Sequence, residues 1–300
     1  MIGEASSFIR RFDGDLGKDV CCQPYFKLVP VSNGCPYYCT YCYLAYVYRD
    51  HLPFIKVNVN HDTMFREIHR AIASADGDAT FNMGEMLDSL ALDHVTHLTT
   101  ALVPFFSSLS HAYLMLLTKS SNIDSLLAMP PNDRVVVSWS LNSEEMIKAY
   151  EPGTATLTER LTAARRCQEH GYRIRRRIDP GILHPGWQTG YRELVQRALD
   201  STEPENITLG TLRLLPGHLA LAAQAYGRRG RSLRHMLIRR ASDGKLRYQP
   251  EQRVRFYRLL IDAVRSHNRN VSIGLCRESS EVWNALRRTC NPCKCNCLVW

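Results

Sequence analysis

The chain alternates between two hydrophobic periods. Short apolar runs of the strand kind fall at 26–29, 79–83, 112–117, 135–139, 173–178 and 207–212. Between them lie stretches with apolar residues at helical spacing: 61–73, 95–106, 123–129, 144–150, 157–170 and 191–199. Strands alternating with helices predict an α/β fold with a parallel sheet and right-handed crossovers. In such sheets the polar residues at the C-terminal ends of the strands mark where chemistry collects.

Beyond the sixth strand the pattern loosens. Residues 216–246 are basic and carry Gly227, Gly230 and Gly244, which predicts a helical, partly mobile excursion. An amphipathic helix follows over 251–267 and a last strand over 271–275, leading to Cys276. The expected division is an N-terminal segment at 1–25, the main α/β body at 26–215, and a C-terminal extension at 216–300. No apolar run reaches the roughly eighteen residues of a membrane span. The start, Met1-Ile2-Gly3-Glu4, lacks the basic-then-apolar order of a secretory leader. Eleven cysteines in such a chain point to a reducing compartment, the cytoplasm, where thiols serve as metal ligands more often than as disulfides.

Charge adds one point. The formal net charge is +9, which favours a polyanionic partner. The excess concentrates at Arg173, Arg175, Arg176 and Arg177, and again at Arg228, Arg229, Arg231, Arg234, Arg239 and Arg240. A solvated face is the competing explanation for such runs.

The sharpest chemical signal is Cys35, Cys39 and Cys42, a C-x3-C-x2-C loop directly after the first strand. Three thiolates on one loop can hold three corners of an iron–sulfur cube and leave the fourth iron open. A structural zinc site would need a fourth ligand in a knuckle, and His51 and His61 are not so placed. The strand ends add polar groups. The second ends in Gly84-Glu85, the third in Lys119, and the fourth places Ser138, Ser140 and Asn142 on one face. Those three suit ribose hydroxyls, and Asn142 equally suits a helix cap. The fifth carries Arg177 and Asp179 at its end, a substrate or cofactor contact.

The cluster loop, with Tyr41 and Tyr43 around its third cysteine, resembles that of the radical S-adenosylmethionine (SAM) enzymes. The resemblance implies a partial (β/α)6 TIM-type barrel, a 4Fe–4S cluster on Cys35, Cys39 and Cys42, and SAM bound to the open iron. Gly84, Glu85, Lys119, Ser138, Ser140 and Asn142 would position SAM, while Tyr41, Tyr43, Arg177 and Asp179 face the substrate. It also implies an external electron donor, a reductase or flavodoxin-type protein. Further motifs narrow the match: Asp88 to His94, Thr118-Lys119-Ser120, Ser138 to Asn142, Arg177 to Pro180, and Leu209 to Arg213. Together they resemble the spore photoproduct lyase family. Its repair enzymes return hydrogen through a cysteine relayed by two tyrosines, which Tyr41 and Tyr43 match. Glu85 stands at the place of that cysteine, and a carboxylate cannot donate a hydrogen atom as a thiol can. The expected reaction is therefore SAM cleavage and hydrogen abstraction from a substrate other than the repaired dimer: a nucleic acid or nucleotide, or a small metabolite or peptide.

Cys276, Cys290, Cys293, Cys295 and Cys297 leave three readings open: a second metal or cluster, redox or hydrogen-donor thiols reaching back to the site, or no role. A wholly different alternative is a zinc-stabilised, arginine-rich nucleic-acid-binding protein without catalysis.

Overall fold

A computed structural model describes residues 1–14, 22–44, 54–233, 239–241, 243–268, 270–286 and 295–299. Its centre is an eight-stranded sheet in strict chain order. Strand β1 (Ile9–Phe12) pairs antiparallel with β2 (Tyr25–Leu28). From β2 onward every pairing is parallel: β3 (Ala79–Asn82), β4 (Ala112–Thr118), β5 (Val135–Ser140), β6 (Arg173–Gly181), β7 (Asn206–Thr211) and β8 (Ser272–Leu275). Among the described residues β8 and β1 remain the two ends, so the barrel is partial. The six strands expected by residue 212 all form, and β8 adds a seventh parallel member from the chain's last third.

The period of two along the strands divides the sheet. Phe26, Phe81, Leu114, Leu116, Val135, Val137, Trp139, Ile174 and Ile178 face the helices and share one core. That core takes Met64 and Ile68 of α1 (His61–Ala73) and Leu102 and Phe106 of α2 (Leu98–Ser107). It also takes Leu157, Leu161 and Ala164 of α3 (Leu157–His170), whose start is held by a Thr156–Glu159 capping box. Two further helices, α4 (Trp187–Ser201) and α6 (Pro250–His267), meet through Trp187, Tyr191 and Phe256, with ring centroids 5.0–5.4 Å apart. Between them in sequence, α5 (His218–Ser232) is kinked at Gly227, within the excursion expected there.

One helix differs from expectation. The spacing predicts one continuous helix over 95–106, but His97 adopts a left-handed φ of 50° and separates a short turn of helix from α2. Asp93 explains the break. Its buried carboxylate accepts from the Thr99 backbone N–H (3.0 Å) and hydroxyl (2.6 Å), satisfying the start of α2 from six residues upstream.

The other face of the sheet is covered by the chain's own C-terminal segment. Residues 295–299 lie across β2 to β6. Cys295 and Cys297 pack on Tyr25, and Val299 packs on Met115 and Val136. The Val299 N–H donates to Thr80 Oγ1 (3.1 Å), Asn296 Nδ2 donates to Ser138 Oγ (2.7 Å), and Arg175 donates to the Leu298 carbonyl. Among the described residues, no helix is long and apolar enough to cross a membrane.

Candidate active site

The cysteine loop leaves the sheet beside β2 through Asn33 (φ 69°) and Gly34 (φ 123°), a pair of left-handed residues that turns the chain back over the strand ends. Two bonds fix its course: the Cys42 N–H donates to the Cys39 carbonyl (2.9 Å), and the Thr40 N–H to the Tyr150 carbonyl (2.8 Å). Tyr226 of α5 donates its hydroxyl to the Tyr38 carbonyl (2.7 Å), so the basic helix rests on the same loop.

Cys35, Cys39 and Cys42 line one cavity together with Gly84, Glu85, Asp88, Lys119 and Ser140. Among the described residues, no three His, Cys, Asp or Glu side chains form a group able to hold a single metal ion. Three thiols that line one cavity can hold three corners of an iron–sulfur cube. Burial, with Asp88 adding to it, pushes the Cys35 thiol up to about 12, and burial raises Cys39 well above its ordinary value. Both thiols therefore stay protonated at neutral pH until a cation compensates their charge, and metal loading releases protons.

The cavity walls come from strand ends. Gly84 is required by packing: a Cβ there would lie 2.2 Å from Leu117 Cβ. Asp88 staples the turn after β3 to the end of β4, accepting from Thr118 Oγ1 (2.6 Å) and from the N–H groups of Lys119 (2.6 Å), Leu90 (3.1 Å) and Ala91 (3.0 Å). Burial opposes the Lys119 charge, but Glu151 and the Cys39 position more than offset it and its pKa rises.

Behind this wall lies a charge network. Arg177 donates to Glu85 (3.1 Å) and to Asp179 (2.8 Å), and Arg213 also binds Asp179 (2.8 Å). Burial would raise both carboxylates. The guanidiniums win, holding Glu85 low and Asp179 well below the usual carboxylate range. A second network holds Tyr41. Its hydroxyl donates to Glu151, which also accepts from fully buried Arg160 (2.6 Å). Arg160 reaches the Ser140 carbonyl as well (2.9 Å), so it ties the strand end to Tyr41. Tyr43 points elsewhere, its hydroxyl 3.1 Å from the Met86 sulfur.

The remaining expected residues are placed as follows. Ser140 lines the cavity. The Ser138 hydroxyl accepts from Asn296. Asn142 is buried, donating to the Pro180 carbonyl (2.9 Å) and accepting from Tyr191 (2.7 Å). Cys276 accepts from Arg177 (3.2 Å) and Arg213 (3.5 Å), and Cys297 lies 3.7 Å from Glu85 Oε1. Cys290 and Cys293 lie outside the described residues. Sequence reasoning missed Glu151 and Arg160. No local motif marks them: Glu151 meets Tyr41 from 110 residues away, and Arg160 reaches the Ser140 carbonyl 20 residues back.

Comparison with known proteins places this geometry. A family model described as spore photoproduct lyase matches residues 23–219. The spore photoproduct lyase of Geobacillus sp. (strain Y412MC61) is 32% identical over 184 residues, which is 60% of this chain and 54% of that protein. That of Bacillus subtilis (strain 168) is 29% identical over 180 residues, 60% of this chain and 52% of that protein. The chain spans about half the length of the curated relatives it matches. A solved spore photoproduct lyase complexed with dinucleoside spore photoproduct superposes with a TM-score of 0.77 at 23% identity, covering 91% of this chain and 80% of that one. Native anSMEcpe with bound AdoMet shares the fold more distantly, with a TM-score of 0.53 at 16% identity over 81% of this chain and 62% of that one.

Proposed function

Because this chain belongs to the spore photoproduct lyase family, we propose that it is a radical SAM enzyme acting on a nucleic-acid or nucleotide substrate. The observation that carries the reading is the single cavity lined by all three loop cysteines and by Glu85, Lys119 and Ser140. A 4Fe–4S cluster held by Cys35, Cys39 and Cys42 would supply the electron that cleaves SAM to methionine and a 5′-deoxyadenosyl radical, the species that takes hydrogen from substrate.

The chain's own residues do the positioning. Glu85 offers a carboxylate to the SAM ammonium, and Gly84 keeps the wall low where SAM approaches. Lys119 suits the SAM carboxylate, and Ser140 its ribose. Ser138 and Asn142 hold the end of β5 from either side of Ser140. Tyr41 faces the cavity with a proton acceptor in place: oxidation of its phenol would send the proton to the Glu151 carboxylate, which Arg160 and Lys119 keep ionised despite burial. Arg177 and Asp179 stand behind Glu85 and fix its direction.

Two observations support a nucleic-acid substrate. Related structures contain dinucleoside spore photoproduct. In this chain, exposed Arg228, Arg229 and Arg231 sit on the helix that touches the cysteine loop. Glu85 in place of the donor cysteine supports a reaction other than dimer reversal. The test is anaerobic reconstitution with iron and sulfide, then dithionite and SAM. About four irons per chain and formation of 5′-deoxyadenosine, increased by oligonucleotide, are expected. A colourless, zinc-loaded protein that yields no deoxyadenosine would instead support the non-catalytic binding protein.

A further inference from the structure

A second concentration of charge stands beyond the C-terminal ends of β7 and β8. Three short strands, Arg213–Leu214, Arg239–Arg240 and Leu246–Arg247, form a small antiparallel sheet there, with Arg213 directly opposite Arg247. Like charges opposed across a ladder resist pairing, so each needs an acid. Arg213 takes Asp179 (2.8 Å), Arg247 takes Asp243 (2.5 Å), and Arg253 takes Glu278. Lys245 is poorly matched by comparison. Its Nζ lies 3.9 Å from Asp243, the carboxylate that Arg247 already holds. Burial, then the charges of Arg277 and Arg213, lower its pKa to about 8, and Asp243 offsets them in part.

Arg277 follows Cys276 at the end of β8 with a left-handed φ of 51°, uncommon for a side chain of its size. The Cys276 carbonyl just before it accepts from Arg213 Nη1 (2.8 Å), which holds this turn against the small sheet. The Arg277 guanidinium lies 5.4 Å from the centre of the Phe12 ring, and Lys27 Nζ lies 5.0 Å from the same ring. The field of Arg277 reaches both Lys245 and Glu85, the carboxylate that lines the cavity. Lys245 and Arg277 are partly exposed, so this positive edge is open to solvent. Both stand outside residues 23–219, the stretch that the family model matches.

Resting on the nucleotide reading above, we propose that Lys245 and Arg277 form a phosphate-binding subsite that holds a backbone phosphate of the substrate beside the cavity. A phosphodiester shares its charge between two oxygens, so one can accept from the ammonium and the other from the guanidinium. The anion also relieves the repulsion that the two cations otherwise exert on each other. In parallel barrels, the loops at this end of the strands commonly hold ligand phosphates. The subsite binds and orients; it takes no part in SAM cleavage.

The test measures binding by equilibrium dialysis at low salt. It uses the full-length reconstituted protein saturated with SAM, with no reductant. The probes are a thymidine dinucleotide with its natural phosphodiester, the same dinucleotide with an uncharged methylphosphonate linkage, and inorganic phosphate. The wild type is expected to hold the phosphodiester about tenfold more tightly than the methylphosphonate, the effect of one charge-assisted contact. Lys245→Gln and Arg277→Gln are expected to lose most of that preference while binding the methylphosphonate as the wild type does. Lys245→Arg is expected to keep it. Equal binding of the two dinucleotides by the wild type, or a preference unchanged in both glutamine variants, overturns the subsite and leaves the nucleotide reading standing. Inorganic phosphate held by the wild type and lost in Lys245→Gln, with neither dinucleotide bound, supports the subsite and overturns the nucleotide reading. No binding of any probe overturns both.

Discussion

Asp179 is the residue on which the positioning network turns, and its removal gives the clearest physical test. Its carboxylate holds two buried guanidiniums, Arg177 at 2.8 Å and Arg213 at 2.8 Å, on a side chain only 5% exposed. In Asp179→Ala, Arg177 keeps Glu85, but Arg213 is left with the carbonyl and thiol of Cys276. Breaking a buried pair by deleting one partner costs about 3–5 kcal/mol. For a chain of this size that is a fall in Tm of roughly 5–8 °C. Asp179→Asn keeps a side-chain acceptor but loses the charge, and should cost about 1.5–3 kcal/mol. Thermal and urea unfolding of the three proteins measure both values. The pH dependence has a definite sign. Asp179 titrates below its unfolded value, so its contribution is complete above that value and fades as pH falls toward the folded one. The gap between wild type and Asp179→Ala should stay constant from about pH 8 to about pH 5 and narrow only in acid. Equal melting temperatures for wild type and Asp179→Ala at neutral pH would refute the argument, as would a gap that widens in acid.

Three further outcomes are expected. Cys39→Ala should lose most of the iron after anaerobic reconstitution; full iron content with undiminished SAM cleavage would remove Cys39 from the cluster. Gly84→Ala places a Cβ 2.2 Å from Leu117 Cβ, so it should cost about 1–3 kcal/mol by overpacking and weaken SAM binding, read by melting and by equilibrium dialysis. Glu151→Gln removes the charge that offsets buried Arg160 and should lower stability by about 3–5 kcal/mol, measured by urea unfolding.

What could be read from the chain followed from local physics. The Val135-Val136-Val137 run announces a buried parallel strand because strands covered on both faces read as short, continuous β-branched runs. The cysteine spacing and the polar strand ends were visible because each sits within one short segment. What stayed hidden depends on distant pairing. Nothing around Glu151 signals that Tyr41 donates to it, and nothing in Cys295-Asn296-Cys297 states which face of the sheet it covers. The break at His97 was masked because Asp93 caps α2 from outside the usual window. The four arginines of β6 were legible as a pattern but not as partners. Arg175 and Arg177 turn toward the C-terminal segment and Glu85, while Arg176 turns to Thr202 among the helices.

The short antiparallel strand at the sheet's margin has a consequence for how the protein behaves in a crowded solution. An open parallel sheet offers unpaired backbone groups along its outermost strand, a template onto which another chain can add. Here β1 occupies that margin with only four residues, and its central pair, Arg10 and Arg11, is exposed. A second copy adding there in register would bring its own arginines against these, so like charges would repel along the seam where the strands would otherwise join. Among the described residues this margin is thus short and charged where a second copy would have to add in register.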